Sequence, residues 1–291
     1  MVSSGFKSIA VAGAQSPIGK ATVTSLAAIH GVSVLVLTRQ ATSRPDWLPA
    51  GVAHAGIDYA DVNGTAALLR THGIEVVIAP VSTSAVLQQI PLARAAKAAG
   101  VQLFVPSEFG TLSKGWKREE VPPYLLPKIQ VAEFLESIGL PSVRVYPGCF
   151  VEFITTLVGY DANKKVNILK SLKGDTPFSA TTNPDIGAFL AHIVTHYPLA
   201  ELANKAFRIE GERLTFNDLG GMLNAPVIRV DEIPVVKGGP FAPDFLAEVQ
   251  RLIELGLLNT DTRLGEGDGA GGANHLWENH HWTTTKEFLQ L

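Results

Sequence analysis

The chain has a single cysteine, Cys149, among its 291 residues. One cysteine excludes an intrachain disulfide and a zinc site built from several thiolates, and it suits a reducing compartment. The formal net charge is −3, the isoelectric point is about 6.2, and the basic residues form no run. These properties argue against a surface that follows the phosphates of a nucleic acid.

Long apolar runs are also missing. No stretch approaches the ~20 apolar residues of a membrane span, and no basic segment followed by an apolar core opens the chain. We therefore expect no membrane association and a cytoplasmic location. No internal repeat is visible. Hydrophobic residues make up 46% of the chain, which is enough for a substantial core in one large domain or two smaller ones.

The segment near the start is the most informative one. Residues 7–12 form a short apolar run that ends at Gly13, and a helical pattern follows. Gly13 permits a sharp turn, and Gly19 lets the helix lie close to the strand and to a pyrophosphate. Free amides at the start of that helix favour an anion. Ser16 stands where a short-chain-dehydrogenase-like loop has its middle glycine. The alternative is an ordinary tight turn.

Residues 32–38 complete a β-α-β unit, and Arg39 follows them. A site selective for NAD commonly has Asp or Glu there, to hold the ribose hydroxyls. An arginine at that point, with Arg44 close behind, fits a 2′-phosphate instead and favours NADPH/NADP+ as the cofactor. The alternative is that Arg39 is a solvated strand end.

Strand patterns alternate with helical patterns through the first half of the chain, which predicts an α/β fold with a doubly wound, Rossmann-like parallel sheet. Gly31, Gly100 and Gly139 are placed to follow helix ends. Ligands of such sheets bind beyond the carboxyl ends of the strands. The predicted strands are 7–12, 32–38, 52–57, 75–79, 101–106 and 142–147, and the predicted helices lie near 19–30, 64–72, 84–99 and 128–138.

The alternation of strand and helix patterns becomes less regular after about residue 150. We predict an NADP(H)-binding domain over 1–150 and a smaller substrate-binding domain over most of 151–291, with some segments returning to the first domain. Thr215 and Thr284 open helix-capping patterns, and Phe245 to Ile253 form an amphipathic helix. The glycine-rich stretch 265–272 is predicted to be a surface loop.

Several motifs together resemble one family. Residues 105–110, Val-Pro-Ser-Glu-Phe-Gly, resemble a segment of the isoflavone-reductase-like branch of the NmrA-like, atypical short-chain dehydrogenase/reductases. The resemblance runs to about residue 160 and more faintly through 185–187 and 207–209. It also includes a loop similar to Gly-Ala-Thr-Gly-Tyr-Ile-Gly-Lys at Gly13, Ile18, Gly19 and Lys20, a helix with Gln89 and residues 95–100, a catalytic-lysine position at Lys128, and Gly148-Cys149-Phe150 in place of Asn-Cys-Phe.

The resemblance implies an NADPH-dependent reductase of hydrophobic, aromatic small molecules. The family also contains dinucleotide-binding redox sensors that catalyse nothing and dock on a protein partner, and a scaffold that binds no dinucleotide is a third possibility. Residues 15–17 and Gly148 depart from the family pattern. We expect substrate contacts from Phe109, Phe153 and Phe178. The expected cofactor contacts are Gly13, Gln15, Ser16, Pro17, Ile18, Gly19, Arg39, Asp58, Pro80, Val81, Ser82, Ser107, Lys128, Pro147, Gly148, Cys149 and Phe150.

Lys128 is the first predicted catalytic residue. It shares the inward face of its helix with Val131 and Leu135. An ammonium there can bond ribose hydroxyls, and desolvation would lower its pKa toward the range useful for proton transfer. The alternative is a first-turn lysine that reaches water.

Tyr124 is the second predicted catalytic residue, because it precedes Lys128 with the Tyr-x-x-x-Lys spacing of the wider dehydrogenase superfamily, with Ser107 as the usual serine. Pro127 favours a helix that starts near residue 127, which leaves Tyr124 outside it. Tyr124 is therefore either a proton donor or part of the pocket wall.

A cluster of His275, Glu278, His280 and His281 lies among Trp277 and Trp282. Its spacing lacks a helical His-x-x-x-His pair, so we predict packing of the tryptophans with polar neighbours and no metal. Cys149 is predicted to line a pocket as a small, inert side chain, because no histidine neighbours it in the sequence.

Overall fold

The computed structural model describes residues 5–39, 43–116, 119, 121–260 and 271–291. The strands are β1 (Ser8–Ala12), β2 (Ser33–Arg39), β3 (Ala53–Ile57), β4 (Val76–Ile78), β5 (Leu103–Val105), β6 (Arg144–Tyr146), β7 (Cys149–Phe150), β8 (Val166–Leu169), β9 (Phe178–Thr181), β10 (Ala206–Arg208), β11 (Glu212–Leu214) and β12 (Val227–Val230).

The α-helices are α1 (Pro17–Ala27), α2 (Val62–Thr71), α3 (Gln89–Ala99), α4 (Leu126–Ser137), α5 (Ile154–Leu157), α6 (Tyr160–Asn163), α7 (Asn183–His196), α8 (Leu199–Leu202), α9 (Phe216–Met222), α10 (Pro243–Glu254) and α11 (Thr285–Leu289). Short 3₁₀ helices span Thr83–Gln88, Pro123–Leu125, Val151–Phe153 and Asn274–Leu276. No helix in the described ranges is both long and apolar enough to cross a lipid bilayer.

The predicted parallel sheet is confirmed. Its order is β3-β2-β1-β4-β5, and every neighbouring pair is parallel. The strand order reverses between β1 and β4, which is the switch point where doubly wound sheets bind ligands beyond the strand ends. A parallel bridge between Phe104 and Ser142 brings the segment before β6 beside β5. Residues 9–12 of β1 are completely buried, as expected for a strand covered on both faces.

The described chain divides into two compact units. The first comprises Met1–Phe109, Ser113–Val145 and Pro184–Phe207, and the second comprises Gly110–Leu112, Tyr146–Asn183 and Arg208–Leu291. The core of the first unit lies between the sheet and its helices, where Leu35, Val77 and Phe104 pack with Leu92 and Leu135. Each unit therefore has a hydrophobic core of its own.

The second unit is built from short strands and helices. β9 pairs with β11 antiparallel and with β7 parallel, and β12 pairs with β8 parallel. The capping boxes predicted at Thr215 and Thr284 are confirmed at the starts of α9 and α11. The amphipathic helix is confirmed as α10. Most of the glycine-rich stretch predicted as a surface loop, residues 265–270, lies outside the described residues.

The structure corrects two details of the predicted first half. The segment predicted as one helix over 84–99 consists of a 3₁₀ helix followed by α3. Pro91 lies in the first turn of α3 and has no amide hydrogen for the carbonyl of Leu87, so an α-helix cannot run through it without interruption. Gly31 is not a helix C′ residue, because α1 already ends at Ala27 and Gly31 lies in the turn beyond it. Gly100 and Gly139 do follow helix ends with positive φ, as predicted.

Candidate functional site

The loop after β1 requires glycine at both ends. Gly13 has a φ of +79°, and a Cβ on it would lie 2.6 Å from the Pro80 carbonyl oxygen. A Cβ on Gly19 would lie 2.5 Å from the Gly13 carbonyl oxygen. Neither distance is possible for a real side chain, so both glycines are needed to bring α1 against the ends of β1 and β4. The predicted strand-turn-helix packing is therefore present.

Ser16 takes part in this packing through its side chain. Its Oγ accepts a hydrogen bond from the Gly19 amide at 3.0 Å and caps α1. The same hydroxyl lies 2.9 Å from the carbonyl oxygens of Gly13 and Pro80, and donates its single proton toward them. Pro17, the first helical residue, has no amide hydrogen. Where the family has Thr-Gly-Tyr, the Gln-Ser-Pro sequence at residues 15–17 thus gives a turn in which a side chain of the protein already bonds one of the amides at the start of the helix.

A second serine ties the ends of β4 and β5 together. The Ser107 hydroxyl donates to the Val81 carbonyl at 2.8 Å, and the Ser107 amide donates to Gln89 Oε1 at 2.8 Å. Gln89 is only 1% exposed, and its other amide group donates to the Val86 carbonyl. The sequence indicated Gln89 only as part of a family helix. In the structure the Gln89 side chain holds the backbone at the end of β5.

Arg39 and Asp58 lie at the ends of β2 and β3, and both are exposed. Asp58 Oδ1 accepts the Ala60 amide at 2.9 Å and shapes the turn before α2. Burial raises the pKa of the Tyr59 hydroxyl, and the positive charge of nearby Arg39 lowers it. Arg44, which the sequence placed beside Arg39 for a 2′-phosphate, uses its guanidinium to bond main-chain carbonyls. Those carbonyls belong to Leu48, Pro49 and Val52.

Trp47 was not identified from the sequence. Its indole Nε1 donates to Gln15 Oε1 at 3.0 Å, and the Lys20 Nζ lies 5.5 Å from the centre of its ring. Trp47 therefore reaches the glycine loop and the first turns of α1. The only signal in the sequence was Gln15 itself, a long polar side chain at a position where the family has threonine.

Lys128 lies in the first turn of α4. Pro127 occupies the start of this helix and Tyr124 lies in the 3₁₀ turn before it, as predicted from the proline. Lys128 is half-buried, and its Nζ donates a hydrogen bond to the main-chain carbonyl of Glu108. Burial lowers the pKa of Lys128, and the charge of Glu108 raises it partway back.

Glu108 follows Ser107 and is 1% exposed. Its Oε1 accepts a hydrogen bond from the Ser113 hydroxyl at 2.8 Å. Its Oε2 is buried and has no hydrogen-bond partner within the described part of the chain. Burial raises the pKa of Glu108, and Lys128, Ser113 and Arg144 lower it. A buried carboxyl with one unpaired oxygen is costly and rare, and is a feature of functional sites.

Residues 147–150, together with Phe153 and Phe178, belong to the second unit. Gly148 has a φ of +73°, and a Cβ there would lie 2.4 Å from the Ser179 carbonyl oxygen, so this departure from asparagine accompanies close backbone packing. Phe153 packs on Phe241 with ring centres 4.9 Å apart. Phe178 is fully buried in the core of this unit and packs on Phe216 with ring centres 5.4 Å apart.

Cys149 is 4% exposed, and burial raises its pKa to about 12. The thiol is therefore protonated at neutral pH and a poor nucleophile, as the sequence predicted. Near the C-terminus, Trp277 stacks on His280 with ring centres 3.7 Å apart and meets Trp282 edge-on. This confirms the predicted packing of the tryptophans. The described residues contain no group of three or more potential metal ligands.

Most of the predicted cofactor contacts lie in the first unit, at the carboxyl ends of the parallel strands. They are residues 13–19, Arg39, Asp58, residues 80–82 and Ser107. Lys128 adjoins them through its hydrogen bond to the Glu108 carbonyl. Phe109, the predicted substrate contact in this unit, is 9% exposed. The arrangement combines glycine turns, an exposed arginine and a half-buried ammonium, which suits a dinucleotide and a proton transfer beside it.

Comparison with known proteins identifies the family of the chain. The sequence profile of the NmrA-like family matches residues 6–225, and the chain belongs to that family. A curated relative, oxidoreductase aprR of Aspergillus flavus, is 29% identical over 184 residues, which is 62% of this chain and 61% of the relative. The chain thus matches less than two thirds of that protein's length.

Solved structures show the same fold at low identity. A leucoanthocyanidin reductase–NADPH complex from Vitis vinifera has a TM-score of 0.75 at 20% identity, covering 97% of this chain and 98% of that one. An isoflavone reductase has a TM-score of 0.76 at 21% identity over 97% and 98% of the two chains. A complex of AtPrR2 with NADP+ and (+)pinoresinol has a TM-score of 0.75 at 17% identity over 98% of each.

Proposed function

We propose that the protein is an NADPH-dependent reductase that transfers hydride to a hydrophobic, aromatic small molecule. The observation that carries the proposal is the Lys128 ammonium. It is held at the end of β5 by the Glu108 carbonyl, beside the strand ends where dinucleotides bind in sheets of this type. Supporting observations are membership of the NmrA-like family and the shared fold of reductases solved with NADPH or NADP+.

The residues present fit NADPH on physical grounds. The glycine loop has no room for side chains at Gly13 and Gly19, so backbone can approach a pyrophosphate closely. Arg39 is exposed at the end of β2, and the engagement of Arg44 elsewhere leaves Arg39 as the arginine for a 2′-phosphate. Lys20 adds positive charge next to the loop. The ends of β4 and β5, held by Ser16 and Ser107, would flank the cofactor.

NADPH supplies a hydride when bound. In the proposed mechanism, Lys128 Nζ would help to hold the ribose of the cofactor, and it would give a proton, directly or through water, to the substrate atom that becomes negative. A pKa lowered by burial suits this task, because it makes the lysine a readier proton donor. Tyr124 is either a second proton donor or part of the pocket wall. Phe109 and Phe153 would supply apolar contacts to the substrate.

The test is to follow NADPH absorbance with a panel of aromatic ketones, enones and lignan-like molecules, after binding of NADPH has been measured by calorimetry. Turnover of any member supports the reductase. Tight NADPH binding without turnover across the panel would favour a non-catalytic redox sensor of the NmrA-like type, which would act through a protein partner. Absence of dinucleotide binding would overturn both.

A further inference from the structure

Lys20 is an exposed lysine at the end of the first turn of α1, and its ammonium group lies beside an aromatic ring. The Lys20 Nζ is 5.5 Å from the centre of the Trp47 ring. An ammonium within about 6 Å of an indole ring is attracted to the negative face of that ring. Because Trp47 belongs to the loop after β2, this attraction directs the ammonium from α1 toward the segment that follows Arg39.

Trp47 is itself held in place by two sets of hydrogen bonds. Its indole Nε1 donates to Gln15 Oε1 at 3.0 Å, which joins Trp47 to the glycine turn. The main chain around Trp47 is fixed by the Arg44 guanidinium, which donates to the carbonyls of Leu48, Pro49 and Val52. The indole is half-buried, and the side chains of Leu48 and Val52 are buried. The ring therefore gives the Lys20 ammonium a defined place.

The glycine turn has few amide hydrogens left for the phosphates of a dinucleotide. The Ser16 amide donates to the Gly13 carbonyl at 3.0 Å, and the Lys20 amide donates to the Ser16 carbonyl at 2.9 Å. The Gly19 amide is bonded to Ser16 Oγ at 3.0 Å, and Pro17 has no amide hydrogen. Residues 16, 17, 19 and 20 thus offer no free N–H to a phosphate. Side-chain cations must supply more of the attraction here than in an uncapped turn.

We propose that Lys20, positioned by Trp47, binds the 2′-phosphate of NADPH as a second cation beside Arg39. The assignment rests on the proposed use of NADPH. In doubly wound sheets the adenosine ribose lies at the end of the second strand, where an arginine accommodates the 2′-phosphate, and the pyrophosphate lies at the start of the first helix. Trp47 brings the ammonium to the loop after that second strand. Lys20 contacts the phosphate in this proposal, and Trp47 is a positioning residue.

The first test compares NADPH with NADH by calorimetry, because the two dinucleotides differ only in the 2′-phosphate. Lys20→Met removes the charge and keeps a long side chain. We expect it to weaken NADPH binding by about tenfold and NADH binding by less than about twofold, whereas Lys20→Arg should keep most of the NADPH affinity. Lys97→Met is the control, because Lys97 lies in the last turn of α3 and donates to the Gly139 carbonyl. An unchanged affinity for NADPH, or equal losses for both dinucleotides, would overturn the proposal.

The second test asks whether Trp47 acts through Lys20. Trp47→Leu should lower the preference for NADPH over NADH in the wild-type background and leave it unchanged in Lys20→Met, because the group that it positions is then missing. Equal effects in both backgrounds would overturn the positioning role. If Trp47→Leu does not fold, Trp47→Phe takes its place, since it keeps a ring of weaker attraction for a cation and loses the bond to Gln15. An unchanged preference in that variant would overturn the role of Trp47.

Binding and turnover separate this proposal from the reductase function. Selective NADPH binding that depends on Lys20, in a protein that turns over no member of the substrate panel, would support the phosphate contact and count against the reductase. Turnover with NADPH, together with an unchanged preference for NADPH in Lys20→Met, would overturn the phosphate contact alone. Failure of the wild-type protein to bind either dinucleotide would overturn both.

Discussion

The Ser16 hydroxyl lies 2.9 Å from the Pro80 carbonyl oxygen and joins the turn after β1 to the end of β4. The same oxygen caps α1 through the Gly19 amide. We expect Ser16→Ala to lower the free energy of unfolding by about 1 kcal/mol, the usual loss for a removed N-cap. Urea denaturation checks this, with Ser137→Ala as the control, since the Ser137 hydroxyl donates an exposed hydrogen bond to the Phe134 carbonyl near the end of α4. A loss no larger than in the control would contradict the capping role.

Arg39→Ala tests the choice of cofactor. Loss of a charge-assisted contact to a 2′-phosphate should weaken NADPH binding by tenfold to a hundredfold, or about 1.5–3 kcal/mol, and leave NADH binding unchanged. Arg70→Ala is the matched control, because Arg70 is an exposed arginine near the end of α2 that bonds the Ala98 carbonyl. Calorimetry with both dinucleotides measures the effect. Equal losses for NADPH and NADH would remove Arg39 from the phosphate site.

Lys128→Ala should lower turnover by at least about a hundredfold, the lower range for loss of a general acid, while NADPH binding weakens only modestly. Stopped-flow measurement of NADPH oxidation with a substrate from the panel gives the rate, and calorimetry gives the binding. Lys97→Ala, at the end of α3, should leave both unchanged. Full activity of Lys128→Ala would show that another group delivers the proton.

Tyr124→Phe distinguishes a tyrosine-lysine pair from a lysine that works alone or with water. Tyr124 lies in a 3₁₀ turn ahead of α4, and Pro127 lies in the first turn of that helix, so Tyr124 and Lys128 do not share one α-helix. We therefore expect Tyr124→Phe to reduce turnover far less than Lys128→Ala in the same assay. Equal reductions would establish Tyr124 as a proton donor.

Cys149 should resist alkylation in the folded protein. With a pKa raised to about 12, its thiolate fraction at pH 8 is lower than that of a free cysteine by a factor on the order of a thousand. Reaction with a chromogenic disulfide reagent should be slow in buffer and rapid in urea. Rapid release of one equivalent of chromophore by the folded protein would mean that the thiol is exposed or activated.

The sequence predicted the strand-turn-helix at residues 7–30 well, because a buried strand, its glycine turn and the following helix are local patterns. The position of Arg39 at the end of a strand is predictable for the same reason. The electrostatic effect of Arg144 on Glu108, and the approach of Trp47 to Gln15, are not local. They depend on where separate segments meet in the folded unit, and no spacing in the chain encodes that.

Arg44 shows the same limit from another side. Its place soon after β2 indicated a phosphate ligand, and a guanidinium is chemically suited to that task. In the folded chain the carbonyls of Leu48, Pro49 and Val52 converge on it. A sequence pattern identifies which residues are capable of a contact, whereas the competition between available partners is decided by the backbone around them.

Helix α7 returns to the first unit after the chain has entered the second. Gly187 packs so tightly on α1 that a Cβ would lie 2.5 Å from the Ala21 Cβ and the Thr22 amide nitrogen, and the Phe6 amide bonds the Val194 carbonyl at 2.8 Å. During synthesis on the ribosome, the surface of α1 that α7 covers therefore stays exposed until residues 184–207 have been made. A nascent or truncated chain that ends near residue 150 exposes this surface and is a natural target for chaperones.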